Sequence, residues 1–216
     1  MNNILNIIIV LFLFTVSADS QNQEPEAKLL LQKVNSKINA YENIQILFKY
    51  SLENEEENLS QETNGKVTLK KDKFILEIFG IKQIFDGNNL HNISLEDEEV
   101  TISRFENNNK NTISPNNLFS FFNNGFNYKL DIQQKKHSSI IQYIKLTPID
   151  SESEIKYILL GIEKKTKHIY NLIEIGKNKT KTTLTVTSFD YNLPIKDSAF
   201  TFKSSEYPNF YINKID

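Results

Sequence analysis

Side chains capable of chemistry are sparse in this sequence. His91, His137 and His168 lie far apart, with no His-x-x-x-His pair to hold a metal ion. Cysteine is absent, which removes disulfides, thiolate ligands, a thiol nucleophile and a cysteine for lipid attachment. Serines are scattered without the Gly-x-Ser-x-Gly turn of a hydrolase. Six glycines form no phosphate-cradling loop. The densest acidic run, Glu96-Asp97-Glu98-Glu99, reads as a solvated, self-repelling turn. A net charge of -2 provides no basic field for nucleic acid. These absences predict no catalytic residues, no metal and no cofactor, and point to a protein that acts by binding.

What the chain has in quantity is large apolar side chains. Hydrophobic residues make up 39%, with 15 Phe, 9 Tyr and no Trp among 216 residues. The elements that must position them start after a leader. Ile4 to Phe14 is almost wholly apolar, interrupted by Asn6, and Val16-Ser17-Ala18 follows with small residues at a cleavage site. The stretch is shorter than the roughly 20 residues that span a bilayer. It reads as a secretory signal peptide, residues 1–18, leaving one domain over 19–216. A retained N-terminal anchor is the competing reading.

Pro25 to Tyr41 shows helical spacing, with Ala27, Leu30, Leu31, Val34 and Ile38 on one face. The period then falls to two. Ile44, Ile46, Phe48 and Tyr50 alternate with Gln45, Leu47 and Lys49, which predicts a strand. Further strands are predicted at 66–70, 74–79, 81–85, 90–93, 100–104, 128–132, 140–146, 155–162, 168–175, 182–189 and 200–202. Short polar turns, Asp86-Gly87 among them, join them into an antiparallel meander. In mid-chain, the polar stretch Asn107 to Asn111 precedes a predicted short helix. Ser114 is its N-cap and Pro115 its first residue, and it carries Leu118, Phe119, Phe121 and Phe122.

Several predicted strands, 74–79 and 155–162 above all, are apolar on both faces. A sheet with one wet face should alternate cleanly. Either helices cover the second face, or the concave side encloses an apolar cavity with the Phe-rich segment as a lid. The pattern of residues leaves these two readings level.

The order of motifs resembles one family. A helix leads into Asn43 to Tyr50, an Asn-Ile-x-x-x-Phe-x-Tyr strand. Gly65 to Lys70, Ile84 to Leu90, Ser114-Pro115, Leu146-Thr147-Pro148 and Phe200-Thr201-Phe202 follow in sequence. Together they are similar to the periplasmic lipoprotein carrier proteins called LolA. The resemblance implies a mainly β fold with a few helices. The sheet would be an incomplete, strongly curved antiparallel half-barrel, capped by the N-terminal helix and the mid-chain helix. Acyl chains would enter a cavity lined by Ile44, Ile46, Phe48, Tyr50, Leu76 and Ile78, under a lid of Leu118, Phe119, Phe121 and Phe122.

The implied partners are acylated lipoproteins, an inner-membrane ABC-type exporter and an outer-membrane acceptor. A monomer in the periplasm of a Gram-negative bacterium, with no nucleic-acid partner, is expected. The alternative is a lipid- or lipoprotein-sensing regulatory module of the envelope built on the same half-barrel. One departure from the family stands out. Where the family has an Arg that helps hold the closed state, this chain has Lys70-Lys71-Asp72-Lys73, with Lys71 as the stand-in.

Overall fold

The computed structural model describes residues 23–104 and 115–215. The leader, the polar stretch 107–111 and the Ser114 cap lie outside the described residues. Helix α1 (Gln23–Asn39) is followed by twelve strands: β1 (Ile44–Asn54), β2 (Leu59–Lys70), β3 (Lys73–Ile78), β4 (Ile81–Phe85), β5 (Asn89–Ser94) and β6 (Glu99–Arg104), then β7 (Phe126–Lys136), β8 (Ser139–Pro148), β9 (Ile155–Glu163), β10 (Ile169–Gly176), β11 (Lys181–Tyr191) and β12 (Tyr211–Ile215).

All twelve belong to one open sheet, in the order β12-β6-β5-β4-β3-β2-β1-β11-β10-β9-β8-β7. Hairpins account for every pairing but two. β1 joins the halves by pairing with β11, antiparallel, and β12 returns to lie parallel to β6. The sheet is the incomplete, curved half-barrel that the motifs imply. Its curvature lets one face of eight consecutive strands, from β3 to β7, feed a single core with Ala27, Leu31, Val34 and Ile38 of α1.

Two predicted elements differ. The mid-chain segment is not one helix. It makes two single 3-10 turns, Pro115–Asn117 and Phe121–Asn123, separated by a turn at 118–120. So few residues, flanked by asparagines, cannot repay helix nucleation, and the phenylalanines settle where contacts take them. Phe200-Thr201-Phe202 is not a strand either. Phe200 ends a 3-10 turn that starts at Asp197, and Phe202 stacks on His91 with ring centroids 4.9 Å apart.

That stacking belongs to a second apolar cluster, which accounts for the strand at 74–79 being apolar on both faces. Leu76 and Ile78 of β3 point to the main core. Ile75, of opposite parity, packs into a second cluster around Ile84, Ile93 and Val100. Phe202, Tyr207 and Phe210 cover that cluster from the C-terminal segment. The outer face of β3–β6 is therefore covered by chain, not by a helix.

On β1 the burial alternates as its sequence does, with Ile44, Ile46 and Phe48 buried and Leu47 and Lys49 exposed. Phe48 lies directly opposite Gly65 of β2, and its ring occupies the space that a side chain would need. A Cβ on Gly65 would stand 2.3 Å from Phe48 Cζ. Gly65→Ala should therefore destabilise the fold by about 1–3 kcal/mol, as overpacking does. Adding Phe48→Leu should recover part of that loss. Urea unfolding of the two single variants and the double variant checks it; additive losses would show that the ring and Gly65 are not coupled.

Candidate functional site

The concave face encloses an apolar cavity of about 250 Å³. Ile46, Phe48 and Tyr50 of β1, Val67 of β2, and Leu76 and Ile78 of β3 form one wall. Beyond β1 the wall continues through Leu184, Val186 and Phe189 of β11, which pair with Tyr50, Phe48 and Ile46, to Ile169 and Leu172 of β10, and Pro115, Leu118 and Phe119 close the top. Every lining side chain is apolar except for the Tyr50 hydroxyl. This surface has nothing with which to fix a polar ligand, and suits a hydrocarbon chain at about 0.8 kcal/mol per buried CH₂.

The residues singled out from the sequence are thus distributed over two cavities and the core. Five of the six strand residues border the apolar cavity. Ile44 instead borders a second, polar cavity of about 610 Å³, on the far side of Pro115 and Phe119. Of the four lid residues, Leu118 and Phe119 touch the apolar cavity. Phe121 and Phe122 are buried in the core, where their rings meet edge to face at 5.3 Å. Phe119 and Phe122 share no helical face, because the segment between them is a turn. The end of this segment is tied to α1 by Asn35 Nδ2, which donates to Asn123 Oδ1 at 2.9 Å.

Sequence reasoning does not find the β10–β11 wall, although Thr183-Leu184-Thr185-Val186-Thr187 alternates plainly. Continuing that alternation would turn Phe189 outward. A register shift pairs Leu47 with Ser188 but Phe48 with Val186, so Thr187 is an extra residue and Phe189 returns to the concave face. A second shift between Ile169 and Asn171 does the same for Ile169 and Leu172.

Phe189 also backs onto an aromatic group that the sequence does not suggest. His168 stacks on it at 3.9 Å, and Tyr41 stacks on Tyr191 at 4.2 Å. The Tyr41 hydroxyl and His168 Nε2 are 2.9 Å apart. Burial, with Lys37 adding to it and Glu163 opposing, pulls His168 below the usual histidine value.

Lys71, which the resemblance sets where the family has an Arg, is exposed on the β2–β3 turn with φ +55°. It borders the polar cavity beside Pro115 and Phe119. Its neighbour is the lysine with partners. Lys70 Nζ lies 2.6 Å from Asp197 Oδ1 and donates to the Ile195 carbonyl at 2.8 Å. No group of three or more metal-ligating side chains occurs among the described residues, and none of their helices is long and apolar enough to cross a membrane.

Two outcomes follow. Phe122→Ala should cost about 3–5 kcal/mol of stability, as deletion of a fully buried aromatic does. Phe119→Ala, at a cavity wall, should cost clearly less, and denaturant titration of both checks the difference. For His168, the unfolded chain takes up a proton near pH 6.5 that the folded chain resists. The stability it contributes is fully present above that pH and is lost as pH falls through the lower folded value. Wild type should therefore lose melting temperature relative to His168→Phe between about pH 7 and 5; parallel curves would remove His168 as the cause.

The comparisons with known proteins agree with this geometry. The chain resembles the crystal structure of an uncharacterised conserved protein from Thermus thermophilus, with TM-score 0.60 at 8% identity, over 88% of this chain and 99% of that one. More distant in fold are the Mycobacterium tuberculosis lipoprotein LppX and a DUF1329 family protein from Desulfovibrio piger. LppX has TM-score 0.49 at 12% identity, covering 80% of this chain and 98% of its own. The D. piger protein has TM-score 0.48 at 11% identity, covering 86% and 99%. No curated protein matches this chain in sequence. The model of the family described as outer membrane lipoprotein carrier protein LolA matches residues 39–203, and the chain therefore belongs to the LolA family.

Proposed function

We propose that this protein is a periplasmic carrier that shelters the acyl chains of lipoproteins between the inner and the outer membrane. The observation that carries this reading is the apolar cavity on the concave face, which offers hydrocarbon contact from β1–β3, β10 and β11 and no catalytic or ligating group. Cargo arrives from an inner-membrane ABC-type exporter and leaves to an outer-membrane acceptor. A signal peptide cleaved after Ala18 delivers the carrier to the same compartment.

At about 250 Å³ the cavity lies just under the roughly 300–1,000 Å³ of typical ligand pockets. Several acyl chains need more room than that. Phe119 and Leu118 close the cavity from a segment without regular helix, and they are the side chains that can be moved at least cost. Loading is thus an exchange of protein for lipid hydrocarbon on the same strands. Such an exchange keeps net affinity modest and permits release.

The test places a charge on the wall. Leu76→Lys should abolish binding of a dipalmitoylated lipopeptide, because an ammonium buried in hydrocarbon lacks both water and a partner. Glu77→Lys, one residue on and facing outward, should bind as wild type does. Circular dichroism establishes that both variants fold. A folded Leu76→Lys protein that retains full lipopeptide binding would refute the proposal.

A further inference from the structure

The two cavities meet, and polarity changes along one strand as they do. Ile44 at the start of β1 borders the polar cavity, whereas Ile46, Phe48 and Tyr50 border the apolar one. From Ile44 to Tyr50 is about 20 Å at the usual rise of a strand. Pro115 and Phe119 belong to both walls and form the partition. At the far end, Tyr50 and Ile78 stand beside Phe79, whose ring meets that of Tyr50 edge-on at 5.4 Å.

We infer that the polar cavity receives the polar end of the cargo, meaning the glycerol-ester linkage and the first peptide residues, while the acyl chains run past Phe119 with their methyl ends towards Tyr50 and Ile78. This deepens the carrier reading and rests on it. Ester carbonyls and peptide groups that leave water need hydrogen-bond donors. The polar cavity supplies them. Lys70 is committed to Asp197 and Ile195, but Lys71 has no hydrogen bond or ion pair among the described residues. Asn39, the last residue of α1, also borders this cavity. The opposite orientation would press the esters against Ile78 and Leu184, with the Tyr50 hydroxyl as the one polar group.

The chain contains neither Cys nor Trp, so a single introduced cysteine can be labelled and the cargo can carry the only tryptophan. We would attach bimane at Glu42→Cys, on the polar cavity, or at Phe79→Cys, at the far end. The probe is a dipalmitoylated lipopeptide with Trp at its second residue. Trp should quench bimane severalfold at position 42 and leave position 79 nearly unchanged. Quenching at 79 instead, equally at both, or at neither overturns the orientation while leaving the carrier reading intact, provided the lipopeptide co-elutes with the protein. Failure to co-elute overturns the carrier reading and this inference with it.

A second measurement isolates the donor. Lys71→Asn tolerates the left-handed backbone and removes the long cation. It should weaken lipopeptide binding by about threefold to tenfold, as loss of one hydrogen bond does. Binding of diphenylhexatriene, which has no polar end, should not change. Equal weakening of both probes, or of neither, contradicts the inference.

Discussion

Side chains from eight adjacent strands, β3 through β1 and β11 to β7, converge on one face, and that face is never closed by strand pairing. β7 and β12 are edges, so the barrel cannot seal itself. At about 25 cal/mol per Å² of apolar surface, leaving the concave side wet would forfeit much of the fold's stability. Everything else in the molecule answers this constraint. α1 inserts Ala27, Leu31, Val34 and Ile38 at one end of the trough, and Phe121 and Phe122 fill space beside it. The remaining stretch, between β1–β3 and β10–β11, has only Pro115, Leu118 and Phe119 above it among the described residues. A surface that must be covered, with a partial cover made of irregular chain, is what a hydrocarbon ligand can share.

The outer face sets a further condition. Under the proposed carrier role, the trough needs walls that hold their shape. Phe202, Tyr207 and Phe210 buttress β3–β6 from outside, and β12 extends that half of the sheet along β6. Asn43 stitches the two halves together. It donates to the Leu193 carbonyl at 2.8 Å and accepts from the Leu193 N–H at 2.9 Å, beside the β1–β11 seam. By contrast, the cover that borders both cavities through Pro115 and Phe119 holds no more regular structure than a single 3-10 turn at Pro115–Asn117.

Much of this is legible in the sequence because β1 obeys strict alternation and pairs with β2 without a shift. Its inward set, Ile44 to Tyr50, can be read directly, and so can Leu76 and Ile78. The far wall is harder, since its lining residues are spaced by three across each bulge, and a bulge leaves no mark in composition. Phe200 and Phe202 have the spacing of a strand, yet Phe200 is fully buried and Phe202 lies against His91, which only the path of the chain determines. β12 escapes sequence reading for the same reason. Its short, largely exposed sequence becomes a strand because the chain returns to the β6 edge, a non-local pairing that no local pattern announces. The Tyr41–His168–Phe189–Tyr191 group joins residues more than a hundred positions apart and is equally out of reach.

The central claim is that the trough is shared between protein and acyl chains of lipoproteins. Native mass spectrometry of the protein gently isolated from its own cell envelope tests this most directly. The account predicts complexes with acylated proteins, from which deacylation releases the carrier. Recovery of the protein with no acylated species bound, or with partners that remain attached after their acyl chains are removed, would contradict it.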